Sequence, residues 1–318
     1  MFNLNRTTQT ILNQFVTFTL AMVFSNVMPV ASAAVSAREA RTEGLSTEGI
    51  EERWLQAQRS GGGRVRVVYH EGTDARSREV IEGLRQIGAF DEAATTITNG
   101  YYLPEDITIN IQQCDSFNSS YNSISKSIRL CINLLTETYD TLKEAGLDDL
   151  LEDWRFNFRS QKIAVSGFLF VFYHELAHAL MDVFDERPMG MTAEEIEADT
   201  IAALLFTDSS KEDKQATLIW FGWLISTDED KKPAYYDEHP VTEQRFYNIY
   251  CLWHGEDPTL FGNDLARNTL QSREIKCSYE YENAQKEFNR MMEPHRRENR
   301  SSSPSSAPAS SSNSEYIW

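Results

Sequence analysis

From Phe168 to Asp182 the chain reads FLFVFYHELAHALMD. Up to Met181, every side chain apart from His174, Glu175, His178 and the Tyr173 hydroxyl is apolar. No proline falls between Gln161 and Glu186. A run with no polar face reads as a helix buried nearly all round. Upstream, Arg64–Tyr69, Ile107–Ile111 and Ile128–Ile132 have the alternation or β-branched content of strands. Apolar positions at Val80, Leu84 and Ile87 predict a helix over residues 76–89, and Leu134–Ala145 predicts another. After the central run come Ala193–Phe206, Lys211–Ile225, Val241–Trp253 and Tyr279–Met292, all helical in pattern. Strands first and helices after predict an α+β fold, with a small N-terminal β-sheet region followed by a mainly helical domain. The second and third strands are expected to pair as a hairpin through the Ser/Asn-rich stretch Asp115–Ser127. The strand Ile128–Cys131 would then offer an edge for an extended peptide.

The ends of the chain change composition. Residues 1–33 read as a secretory signal: Arg6 is the only charge, Phe15–Val30 is apolar, and Ala31-Ser32-Ala33 is a small-x-small cleavage site. An uncleaved anchor helix is the alternative, and Asn13, Gln14 and Asn26 dilute the run in favour of cleavage. Residues 34–62 read as a linker carrying a short helix, Thr47–Gln58, before the break at Gly61-Gly62-Gly63. Residues 63–295 form the expected main domain, and 296–318 a disordered Ser/Pro-rich tail. These features predict a secreted or periplasmic protein. Ile163–Met181 is apolar enough to raise a membrane span, but no other stretch after the signal approaches the ~20 residues a span needs. A lone span would turn His, Glu and His toward lipid at high cost. No span is expected in the mature chain.

Four cysteines behind a signal predict two disulfides, with three possible pairings. The sequence-local set, Cys114–Cys131 and Cys251–Cys277, closes short loops and is the expected one. The first bridge would staple the second and third strands. The net charge of −18 argues against nucleic acid or anionic lipid as a partner.

The chemistry lies in His174-Glu175-Leu176-Ala177-His178, the pattern HExxH. On a helix, positions four apart share a face, so His174 and His178 offer two imidazoles to one Zn2+ ion. Glu175 sits beside the first ligand, within reach of a water on the same ion. The plainer alternative is a core helix whose histidines bond to backbone carbonyls. Catalytic zinc takes three protein ligands and keeps one position open. The extension HExxHxxGxxH needs Gly at 181 and His at 184, and the chain has Met181 and Phe184. Downstream, Glu194-Glu195-Ile196-Glu197-Ala198-Asp199 lies on a predicted helix. Glu195 and Asp199 share a face with Ala202 and Phe206, so that face looks inward. Glu195 is the expected third ligand, and Asp199 the carboxylate that orients a ligating histidine. Glu197 remains an alternative ligand, about 200° away from Glu195 around the helix.

HExxH followed by ExEAD resembles the gluzincin arrangement and, letter for letter, that of the CAAX-prenyl-protease/heat-shock-protease family. His239-Pro240-Val241-Thr242-Glu243-Gln244-Arg245 is similar to that family's HPxxExR segment. The likeness covers about residues 165–250; the membrane spans of that family are absent from the rest of the chain. The whole mature chain resembles more closely an uncharacterised family of secreted bacterial metallopeptidases. That family joins a cysteine-bracketed strand region to HELAHAL, an EEExAD-type helix and HxxxxQRFYN. The resemblance implies zinc and a gluzincin-like peptidase fold. It also gives His239 a candidate role as an oxyanion donor, beside the plainer one of a helix-entry histidine. Tyr235 and Tyr236 are further possible donors, and Arg245 reads as the partner of a carboxylate. The expected function is zinc-dependent hydrolysis of peptide bonds in a peptide or protein substrate, with Glu175 as general base on a zinc-bound water. The alternative is a secreted zinc-binding interaction or scaffold protein without catalysis, its metal closed by a fourth protein ligand such as His239.

Overall fold

A computed structural model describes residues 61–116, 118–147, 159–206, 209–228, 241–260 and 263–297. The expected signal segment, the Thr47–Gln58 helix, the tail beyond Arg297, and Tyr235, Tyr236 and His239 lie outside these residues. The chain runs β1 (Val65–Tyr69), α1 (Ala75–Ile87), α2 (Ala89–Gly100), β2 (Ile107–Gln112), β3 (Ser120–Asn122) and β4 (Ser127–Cys131). Helices follow: α3 (Ile132–Glu144), α4 (Ser160–Val183), α5 (Met191–Leu205), α6 (Lys211–Asp228), α7 (Thr242–Glu256), α8 (Asn263–Leu270) and α9 (Cys277–Met292). The fold is α+β, as the order of patterns predicts.

Local chemistry sets the first elements. Asp74 caps α1 by accepting from the Ser77 N–H at 2.9 Å, and Gly88 ends the helix in the left-handed region at φ 71°. A new helix, α2, starts at once and buries Phe90, Ala93, Ala94 and Ile97. It is absent from the predicted helices because this face is built largely of small side chains, so its period is faint. In β2, Ile107, Ile109 and Ile111 are fully buried while the residues between them are half-buried, giving a sheet with one face on the core.

The sheet order is β1-β2-β4-β3. β1, β2 and β4 run parallel, with Ile109 opposite both Val67 and Ile128, and β3 pairs antiparallel with β4. Two expectations are therefore corrected. The second and third predicted strands are parallel neighbours and form no hairpin, because the intervening stretch is long enough to carry an extra strand, β3, across to the far side of β4. The disulfide Cys114–Cys131 is present, but it ties the ends of two parallel strands. β4 is an interior strand, and the edge beside it is β3, whose Ser-Tyr-Asn composition carries no alternating pattern.

Helix α4 divides two cores. Phe168 and Phe172 pack on Phe90 at ring separations of 6.1 and 5.0 Å, within the core shared with the sheet. Phe170 points the other way, onto Phe221 at 5.2 Å and Trp253 at 6.1 Å, within the helical core. Each edge-on pair of this kind contributes about 1 kcal/mol beyond burial. Among the described residues α4 is the one helix long and apolar enough to cross a membrane, and most of its apolar window is buried inside the protein. The second bridge, Cys251–Cys277, joins α7 to the start of α9.

Candidate metal centre

Two helices build the site. α4 carries His174, Glu175 and His178 one turn apart, and α5 packs across it with Glu194, Glu195 and Asp199. The Nε2 atoms of His174 and His178 lie 3.2 Å apart. Glu195 faces both: one oxygen is 3.1 Å from His174 Nε2 and the other 3.3 Å from His178 Nε2. His174, His178 and Glu195 form a group whose candidate ligand atoms lie within 4.8 Å of one another. Glu197 is not in that group, because two positions further round α5 it faces another direction.

The other ring nitrogens face carboxylates. His174 Nδ1 is 2.9 Å from Asp199 Oδ1, and His178 Nδ1 is 3.2 Å from Glu194 Oε1. Ionised carboxylates only accept, so both Nδ1 atoms donate. In a neutral ring held this way, Nε2 carries the lone pair that a metal would take. The two Nε2 atoms and the two Glu195 oxygens face one another at 3.1–3.3 Å. Such a set calls for a cation. For tetrahedral zinc with bonds of about 2.05 Å, ligand atoms stand about 3.3 Å apart, close to the separations seen. The residues present fit a divalent metal.

The electrostatics agree. Burial disfavours a charged His178, but hydrogen bonds to Glu194 and Glu195 outweigh it and push the ring up to about 10. Without metal the cluster draws in protons for the reason that it would draw in a cation. Burial also disfavours charge on Asp199, yet Arg245 and His174 hold its carboxyl well below the usual range. Arg245 reaches it through Nε and Nη2, each at 2.8 Å, so the arginine does pair with a carboxylate as its sequence context suggests. Burial pushes the Glu175 carboxyl up, partly offset by the two histidines and by the backbone N–H of Tyr121 on β3. Glu175 is 8% exposed, a carboxyl suited to gaining and losing a proton.

The sequence placed one carboxylate, Asp199, behind the histidines. The structure adds Glu194 behind His178, Arg245 behind Asp199 and Tyr121 beside Glu175. A signal for Glu194 was present: two ligating imidazoles leave two second nitrogens to satisfy, and the acidic helix offers more carboxylates than one. Nothing in the sequence marks Tyr121, since its strand has no pattern. A protein-family model described as Putative metallopeptidase matches residues 69–292. No curated protein and no solved structure matches the chain.

Proposed function

The chain belongs to the Putative metallopeptidase family, and from that premise we propose that it is a zinc-dependent endopeptidase acting on peptide or protein substrates. The observation that carries the reading is the convergence of His174 Nε2, His178 Nε2 and the Glu195 carboxylate. These three would hold the ion. Bound there, zinc would supply Lewis-acid polarisation of the scissile carbonyl and lower the pKa of a water. Glu175 takes a proton from the attacking water on its carboxylate and hands it to the departing amide nitrogen. The Tyr121 N–H fixes that carboxylate, and it belongs to the edge strand, where an extended substrate would find a partner for its backbone. Asp199 and Glu194 keep the two imidazoles in the Nδ1–H form. His239 is our candidate donor to the carbonyl oxygen as it becomes anionic.

The two disulfides suit an oxidising compartment, and we read the protein as secreted or periplasmic with residues 1–33 removed. A non-catalytic scaffold would close its metal with a fourth protein ligand, and the cluster holds three among the described residues. The deciding experiment is metal analysis of the purified protein, followed by digestion of a peptide library with the parent and with Glu175→Gln. We expect about one zinc per chain in both, and turnover reduced by roughly 10²–10⁴-fold in the variant. Equal turnover in the two proteins, or a parent that takes up no metal, rules the reading out. His239→Ala is expected to keep zinc and lower kcat.

A further inference from the structure

A Schellman turn closes α4 and sends the chain back on itself. Glu186 N–H donates to Met181 C=O at 2.8 Å, Asp185 N–H to Asp182 C=O at 3.1 Å, and Asp185 takes the left-handed φ of 58°. The next side chain, Arg187, is thereby laid along the last turn of the helix it has just left. Its Nη2 sits 2.7 Å from Asp182 Oδ1, and its Nη1 sits 3.9 Å from Glu194 Oε1. That Glu194 oxygen is the one facing His178 Nδ1 at 3.2 Å. On the far side, Asp182 Oδ2 accepts from the Tyr121 hydroxyl at 2.5 Å and from Lys126 Nζ at 2.7 Å. Tyr121 lies on β3 and Lys126 in the turn before β4. A chain of charged contacts thus runs from the edge hairpin, through Asp182, Arg187 and Glu194, to one of the two imidazoles. Asp182, Glu194 and Arg187 are each at least two-thirds shielded from solvent, so these contacts are screened less than surface pairs.

We propose that Arg187 is a positioning residue that holds Glu194 against His178 Nδ1 and ties the geometry of the metal centre to the β3–β4 hairpin. This rests on the reading of His178 as a metal ligand. Arg187 touches neither the metal position nor the substrate. It acts by fixing a carboxylate that in turn fixes the tautomer and tilt of the ring. The planar guanidinium suits the task because separate nitrogens meet Asp182 and Glu194 at once, which a single ammonium cannot do in the same geometry.

The test is zinc affinity, measured by competition with a chromophoric chelator and independent of activity. Arg187→Met keeps an unbranched apolar stem and removes the charged head, and it should raise the zinc Kd about tenfold. Arg187→Lys should fall between Arg187→Met and the parent. Glu194→Gln should weaken zinc at least as much as Arg187→Met, and the double variant should be no worse than Glu194→Gln alone, because both changes remove one interaction. A merely structural arginine would lower the thermal midpoint of the zinc-free protein and leave the Kd unmoved. A Kd within twofold of the parent in Arg187→Met, or additive losses in the double variant, overturns the proposal. Should Arg187→Met fail to fold, Arg187→Lys is read against Glu194→Gln by the same criteria. His178→Ala separates the two levels of argument. If it loses zinc while Arg187→Met keeps parental affinity, only the arginine's role fails; if it binds zinc like the parent, the ligand assignment itself fails.

Discussion

Buried Asp199 accepts from His174 Nδ1 on one oxygen and meets the half-buried Arg245 guanidinium with both. One carboxylate therefore orients an imidazole and neutralises a cation. Asp199→Asn keeps the volume and removes the charge. Zinc affinity is expected to fall by about 10–100-fold, because the ring loses its fixed acceptor. The zinc-free fold is expected to lose about 1–2 kcal/mol, because the half-buried Arg245 loses the charge of its hydrogen-bonded partner. Chelator competition reads the first effect and a urea midpoint the second. An unchanged zinc Kd would remove Asp199 from the site. Of this pair, the inward face of Asp199 was legible from the apolar residues that follow it on α5. Its partner was not, since Arg245 is far along the chain on α7 and sequence spacing gives no distance between helices.

Helix α4 is the most legible element and also the one whose packing the sequence hides. Its apolar run specifies burial on all sides, and the structure surrounds it with β3, β4, α3, α5 and α6. The run does not say how closely a neighbour approaches. At Gly167 a Cβ would collide with the Trp220 indole of α6, so glycine here permits the contact between two helices. Gly167→Ala gains about 1 kcal/mol of helix propensity. The overpacking is expected to win, giving a net destabilisation of about 1–2 kcal/mol in chemical denaturation. A more stable variant would show that α6 moves away without cost. Asp185 is the opposite case. Asp185→Gly removes a side chain from the left-handed position and should stabilise the protein by about 1 kcal/mol. β3 was illegible for a third reason: three polar residues have no period, and only pairing with β4 makes them a strand.

Across the whole molecule, the two bridges close loops with sequence separations of 17 and 26 residues. Loop-closure entropy gives each about 3 kcal/mol. Reduction under otherwise native conditions should lower the thermal midpoint in two separable steps, with Cys114→Ser/Cys131→Ser and Cys251→Ser/Cys277→Ser each reproducing one. The acid limb of stability has a local origin as well. Burial disfavours charge on Asp182, yet Lys126, Tyr121 and Arg187 hold its carboxyl below the usual range; Lys162 and Ser210 do the same for Asp213 against its burial. A carboxyl lowered by folding contributes stability that is present above its unfolded pKa of about 4 and is lost as pH falls through the folded value. Stability should therefore hold from about pH 7 to 5 and decline below about pH 4, measured in enough salt to screen the net charge of −18. Lys126→Met should flatten part of that decline. An identical acid limb in the variant would place the titrating groups elsewhere.

The sequence by itself determined what local order can encode: the buried helix with its HExxH spacing, the inward acidic face of α5, and the succession of strands and helices. Each depends on residues a turn, a pleat or a short loop apart, where helical and strand geometry converts letters directly into positions. Tertiary structure alone decided that the predicted hairpin is a parallel pair with a third strand outside it, that Arg245 neutralises Asp199, and that Glu194 and Arg187 stand behind His178. Those relations join segments whose separation along the chain sets no distance between them. They are fixed only when both cores close around α4 and unpaired buried charge must find its partner.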